Sequence, residues 1–163
     1  MQGPSVKPAP KVIILMLAAL ACLGLALPAR AQTAPLGWWL DQTKRAGILI
    51  APCGNQLCGR IAWLKSPLDP EGKPKTDMHN PQTALHSRPI CGLPILGGFA
   101  PDGSGGWNGG WIYDPDAGKT YKSQMHVAAD GTLHVRGYIG IPLLGRSETW
   151  TRPPAPPPQC KVA

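Results

Sequence analysis

The chain lacks the patterns that announce an enzyme. None of its 163 residues forms a G-x-S-x-G, H-E-x-x-H or phosphate-loop motif. Nucleophilic hydrolysis, zinc proteolysis and nucleotide binding therefore have no support, and the chain reads as a non-enzyme. It is also poor in charge, with 9 Asp and Glu against 16 Lys and Arg. The basic residues are scattered rather than striped, which argues against a nucleic-acid partner. There is no convincing long amphipathic helix beyond the N-terminal apolar run, and no internal repeat. Phenylalanine is nearly absent, with Phe99 alone.

What is present begins with a leader. Lys7 and Lys11 precede an apolar run over residues 12–27, and Pro28 and Ala29-Arg30-Ala31 follow. A basic start, an apolar middle and an A-x-A end make a secretory signal peptide over residues 1–31, cut between Ala31 and Gln32. The run is shorter than the roughly 20 residues of a membrane span, so the processed chain is expected not to span a membrane. A retained anchor, or a lipoprotein processed at Cys22, is the weaker alternative. Lys7, Lys11 and Arg30 leave with the leader, so net charge falls from +7 to +4. That supports no more than weak attraction to an anionic envelope surface. The expected compartment is the periplasm or the exterior.

The remaining 132 residues suit one domain. Residues 107–152 carry four short strands on tight turns. Asp114-Pro115-Asp116-Ala117-Gly118 and Asp130-Gly131 are turn chemistry between alternating segments. Leu133 and Val135 fall on one face and His134 and Arg136 on the other, the period of a half-buried strand. Upstream, residues 36–40, 48–51 and 59–64 read as strands. Pro52 is expected to stop the second, and Ile61 and Trp63 to share a face of the third. Residues 89–99 read as a buried strand broken at Gly97 and Gly98. Residues 66–89 form one long irregular loop, with a helical turn near residues 82–86. Loops of this length are often functional. The expected fold is all-β: a single antiparallel up-and-down barrel of about eight strands over residues 32–152.

Four cysteines remain after the leader, and an even number in an exported chain implies disulfides. Cys53 and Cys58 bracket a hairpin loop and should pair across it; Cys91 with Cys160 would close a long loop. By chain entropy these contribute about 2 and about 4 kcal/mol. Zinc binding by the four is disfavoured by the wide spacing and by export. The tail, residues 153–163, begins with a Pro-rich run that cannot pair in a sheet. It either carries Cys160 back to Cys91 as a polyproline strut or trails as a disordered end with a loose thiol.

Several short pieces together resemble one family of small exported bacterial proteins, domain of unknown function 2147. They are Gly37-x-Trp39; Ile50-Ala51-Pro52-Cys53 with Leu57-Cys58-Gly59; Lys75-Thr76-Asp77 with Asn80-Pro81; Arg88-Pro89 with Cys91-Gly92-Leu93-Pro94; Trp107-x-Gly109-Gly110-x-Ile112-Tyr113-Asp114-Pro115; Gly118-Lys119-x-Tyr121; Arg136-Gly137-Tyr138; and Gly145-Arg146 with Trp150-Thr151-Arg152. The resemblance implies a lipocalin-like barrel and no established activity. Gly37-x-Trp39 and Arg152 also resemble the lipocalin pattern, in which a guanidinium from the last strand stacks on an indole of the first. Such a stack contributes roughly 0.5–2 kcal/mol, and Trp39 and Arg152 are read as structural.

For function, the ring set matters most. Trp63, Trp107, Trp111, Tyr113, Tyr121, Tyr138 and Trp150 offer apolar area with a hydrogen-bonding tip, as ligand cavities and glycan platforms use. Arg88, Arg136 and Arg146 could fix an anionic head group, and Asp77 and Asn80 lie in the long loop expected near the mouth. The plainer account is core rings, exposed cations and Asx turns. His126 and His134 should be neighbours across the Asp130-Gly131 turn and could bind a metal, but no third ligand is visible nearby, and two solvated imidazoles are the plainer account. Neither metal nor cofactor is expected. An Asp77–His79 acid–base or metal site is the least supported alternative. The favoured reading is a barrel that binds a small apolar or amphipathic molecule in the cell envelope. The other is a non-catalytic envelope protein touching glycan or a protein partner through exposed rings.

Overall fold

The structure, a computed structural model, describes residues 2–3 and 34–160. Apart from residues 2–3, the expected leader lies outside the described residues. From residue 34 the chain is almost wholly β: β1 (Gly37–Leu40), β2 (Ala46–Cys53), β3 (Gln56–Leu64), β4 (Pro94–Pro101), β5 (Gly106–Asp114), β6 (Lys119–Val127), β7 (Leu133–Tyr138) and β8 (Gly145–Trp150). The helical turn expected near residues 82–86 is a single 3-10 turn, Thr83–Leu85. The eight strands form one antiparallel sheet in sequence order, as an up-and-down barrel requires.

Closure is partial. The edge strands β1 and β8 meet at one bridge, where Leu40 and Thr151 exchange backbone hydrogen bonds of 2.8 and 3.0 Å. Four residues of β1 offer the last strand little to pair with. The sheet is thus a curled half-barrel. Its core is Trp39, Ile48, Ile50, Leu57, Ile61, Leu93, Leu96, Phe99, Met125, Leu133, Val135 and Trp150, all buried.

Three local expectations are corrected. β2 runs through Pro52, which pairs with Leu57. Pro52 lies past the end of β1, where β2 has a neighbour on one side only, and an edge tolerates a residue without an N–H. β4 begins at Pro94 and continues through Gly97 and Gly98. Gly97 is there for space: a Cβ on it would sit 2.7 Å from the ring of Trp111. Finally, Ile61 and Trp63 do not share a face. Ile48 pairs with Ile61 and Gly47 with Trp63, so Ala62 is the extra residue of a bulge. Side-chain parity flips there. Ile61 stays in the core, while Trp63, with Trp38, crowds the space over Gly47.

The turns follow the sequence chemistry. The Asp102 carboxylate accepts from the Ser104 N–H and hydroxyl and from the Gly106 N–H. Asp130 accepts from the N–H and hydroxyl of Thr132. These donors hold both carboxyls below the usual carboxylate range. Both disulfides are formed, Cys53–Cys58 and Cys91–Cys160. The Cys160 N–H donates to Ala62 O at 2.8 Å, and Arg60 donates to Gln159. The tail is thus laid along β3, which is the strut reading.

Candidate functional site

Up-and-down order places every second connection at the same end of the sheet. One end gathers the β1–β2 turn, the crossover of residues 65–93, the β5–β6 turn and the β7–β8 turn. A cavity of about 780 Å³ opens among them. Its depth is apolar: Ile48, Ile61, Ile95, Ile112 and Val135, with Trp150. Tyr113, Tyr121 and Tyr138 also line it. Its rim is charged and exposed, with Arg45, Lys65, Lys75 and Arg146 against Asp114 and Asp116. Glu148 turns inward and accepts from the Trp150 indole at 2.8 Å.

The other end carries the Cys53–Cys58 hairpin, and there the chain enters β1 and leaves β8. Trp39 is fully buried, and its indole N–H donates to Pro35 O. The Arg152 guanidinium lies 4.1 Å above the ring and donates to Leu36 O. Ring, cation and entering chain are tied into one plug.

Beside the mouth, the crossover is fastened by a polar cluster. Asp77 is fully buried. Its carboxylate accepts from Tyr113 at 2.6 Å, from Arg88 at 2.7 Å and from Asn80 at 2.9 Å. Asn80 also donates to the Tyr113 oxygen, at 3.0 Å. Burial alone would raise the Asp77 carboxyl. The donations from Tyr113, Arg88 and Asn80, with the Arg88 charge, outweigh it and hold the group below the usual carboxylate range. Burial pushes the Tyr113 phenol up, and its donation to Asp77 adds to that. The crossover also presses on the β5–β6 turn. A Cβ on Gly118 would fall 1.8 Å from His79 O, and Gly118 has φ +63°. Only glycine admits both the contact and the conformation.

The sequence-derived candidates therefore separate into three groups. Tyr113, Tyr121, Tyr138 and Arg146 line the cavity. Asp77, Asn80 and Arg88, with Tyr113, form the clasp. Trp63, Trp111 and Arg136 lie away from the cavity lining. Trp111 is 38% exposed across Gly97, and Arg136 holds the β7–β8 turn. Asp77 and His79 diverge, one buried and the other exposed. The rings of His126 and His134 stack at 5.0 Å. Among the described residues no three His, Cys, Asp or Glu side chains are placed to hold one metal ion. Sequence reasoning missed the rim cations Arg45, Lys65 and Lys75, and the inward Glu148 that the Trp150 indole bonds. The rim residues carry no local signal, since only the topology gathers them. The alternation of Glu148 and Trp150 along β8 did carry one.

Residues 37–152 match the family described as "Uncharacterized protein conserved in bacteria (DUF2147)". The chain belongs to this family. A solved structure, protein HP1028 from Helicobacter pylori, described as belonging to the lipocalin family, is similar at TM-score 0.61 and 21% identity. The match covers 72% of this chain and 81% of that one. At that identity the likeness shows the lipocalin-like fold alone. No curated protein matches. Among the described residues no helix is long and apolar enough to cross a membrane.

Proposed function

We propose that the chain is an exported, non-catalytic barrel that binds a small apolar or amphipathic molecule in the cell envelope. The observation that supports this most is the shape and chemistry of the cavity. Its volume of about 780 Å³ falls within the roughly 300–1,000 Å³ of small-molecule sites. Isoleucines and a valine line its depth, tyrosines follow, and cations stand at the rim. An apolar tail would fill the interior, and Arg146 or Lys75 would meet an anionic head. The two disulfides suit an oxidising compartment.

The test is native mass spectrometry of protein purified from its own periplasm, before and after denaturation. A lipid-sized mass that co-purifies and is lost on denaturation is the expected result. Its repeated absence would move weight to a second reading, which the half-exposed Trp111 ring favours. In that reading the outer sheet face meets glycan or a protein partner through its rings. Binding abolished by Trp111→Ala and untouched by changes in the cavity would then be the outcome.

A further inference from the structure

The β7–β8 turn reverses the usual economy of a surface loop. Leu143 is 82% exposed, Ile139 69%, Leu144 66% and Ile141 56%. Among the described residues these four are the most exposed large hydrophobic side chains after Met78 is set aside, and they share one turn. The turn is also firmly built. Ile139 N–H donates to Leu144 O, Ile141 N–H to Ile139 O and Leu144 N–H to Ile141 O. The Arg136 guanidinium donates to Pro142 O at 2.6 Å, to Leu143 O at 3.3 Å and to Ser147 Oγ at 2.8 Å. Most of the turn's backbone polar groups are therefore satisfied from within the protein. Water does not require that; an apolar medium does.

The turn itself carries only basic side chains, although Asp114, Asp116 and Glu148 share the cavity lining with Ile139, Leu144 and Arg146. Between Gly131 and Ser147 the chain has Arg136 and Arg146 and no acidic residue. Lys122 lies opposite Tyr138 in register. An exposed aliphatic tip, with Arg146, Lys122 and Tyr138 beside it, has the pattern of an interfacial anchor. We infer that the β7–β8 turn is a membrane-contact element that dips into a lipid leaflet with anionic head groups. Ile139, Leu144 and Arg146 also line the cavity, so contact through this turn would set the mouth against the leaflet. The inference goes beyond ligand binding and stands on the turn itself, whether or not the cavity is filled.

The experiment is vesicle co-sedimentation of the exported chain, its N-terminus fixed by mass spectrometry so that no leader contributes. The vesicles are equal parts phosphatidylethanolamine and phosphatidylglycerol, with pure phosphatidylcholine beside them. The expected result is binding to the anionic vesicles that weakens with added salt. The double change Leu143→Ser with Leu144→Ser should lower it on the order of tenfold, since two inserted aliphatic side chains are lost. In a second variant, Leu143→Trp, the emission gained over that of the parent's six tryptophans should shift to the blue on vesicles and be quenched by acyl-chain probes. This readout does not depend on the double variant folding. No binding by the parent chain overturns the inference, as does binding that the folded double variant retains in full. A concentration-dependent dimer that the double variant abolishes, without vesicle binding, would also overturn it and make the turn an interface between copies.

Discussion

The crossover of residues 65–93 and the turn of residues 139–144 stand at the same end of the sheet and are built on opposite plans. The crossover turns its polar groups inward. Asp77, Asn80 and Tyr113 are buried and satisfy one another. The turn points its aliphatic groups outward and uses Arg136 from below to fix its shape. Buried hydrogen-bonded charge costs desolvation and returns a unique geometry; exposed aliphatic surface costs solvation and returns something to touch with. The contrast teaches where to look for each role. The clasp belongs to the fold, and the turn belongs to an encounter.

Asp77→Ala should break the clasp with the largest effect. It removes the acceptor of three donors and leaves the Tyr113 hydroxyl and Asn80 amide short of partners. Truncating one member of a buried charge pair costs about 3–5 kcal/mol. Arg88 is 38% exposed and can turn its head to water, so about 3 kcal/mol is expected in urea unfolding. Asp77→Asn sharpens the same point through pH. A carboxyl held below its ordinary value stabilises the fold above 3.8, and that contribution is lost as pH falls through the lower folded value. The acid limb of stability below that pH should therefore be shallower in Asp77→Asn than in the parent. Asp102 and Asp130, also lowered, keep it from vanishing. An unchanged acid limb would show that the clasp carboxylate adds nothing.

Tyr113→Phe tests the strand side of the clasp and should cost about 2 kcal/mol, the value of one hydrogen bond to a buried charge. It should also change the alkaline limb. The Tyr113 phenol is raised, so its contribution is whole below 10.0 and is lost as pH rises through the higher folded value. The variant should lack that part of the loss. Equal alkaline slopes in parent and variant would break the contrast by making the clasp incidental.

Much of this architecture was legible in the chain, for physical reasons that differ by element. Strands β5 to β8 were readable because Asp-Pro and Asp-Gly turns separate segments of alternating burial, and short-range rules cover both. The Cys53–Cys58 hairpin was readable from spacing. Pro52 and Gly97 misled because their usual meaning is to end a strand. At Pro52 the missing neighbour strand removes the penalty, and at Gly97 the indole of Trp111 takes the room a side chain would fill. Trp63 misled because one bulge at Ala62 reverses the parity, and a bulge has no fixed spelling. The clasp was half legible: Asp77, Asn80, Arg88 and Tyr113 were all singled out, as ligand contacts or, for Asp77 and Asn80, as Asx turns, of which Asn80 makes one with the Gln82 N–H. Their mutual bonds span up to 36 positions, a distance over which sequence pattern carries nothing. The exposed apolar turn went unread because Ile139, Ile141, Leu143 and Leu144 look like strand residues in a list. Only the backbone shows that they face water.

The smallest effect should come from Arg136→Gln. The guanidinium is well outside the core, and its acceptors in the turn can bond water once it is gone. Loss of stability should stay below about 1 kcal/mol. The turn itself should still loosen, because the side-chain latch on Pro142 O and Leu143 O has no substitute among the described residues. Hydrogen exchange at residues 139–144 should then speed up, while the clasp amides Asp77 and Asn80 keep their protection. A local opening of this kind is what separates a latch from a core contact. If exchange rises equally in the crossover and the turn, the two regions form one cooperative unit. If it rises in neither, the backbone bonds among Ile139, Ile141 and Leu144 hold the turn alone, and the Arg136 bonds to it add nothing.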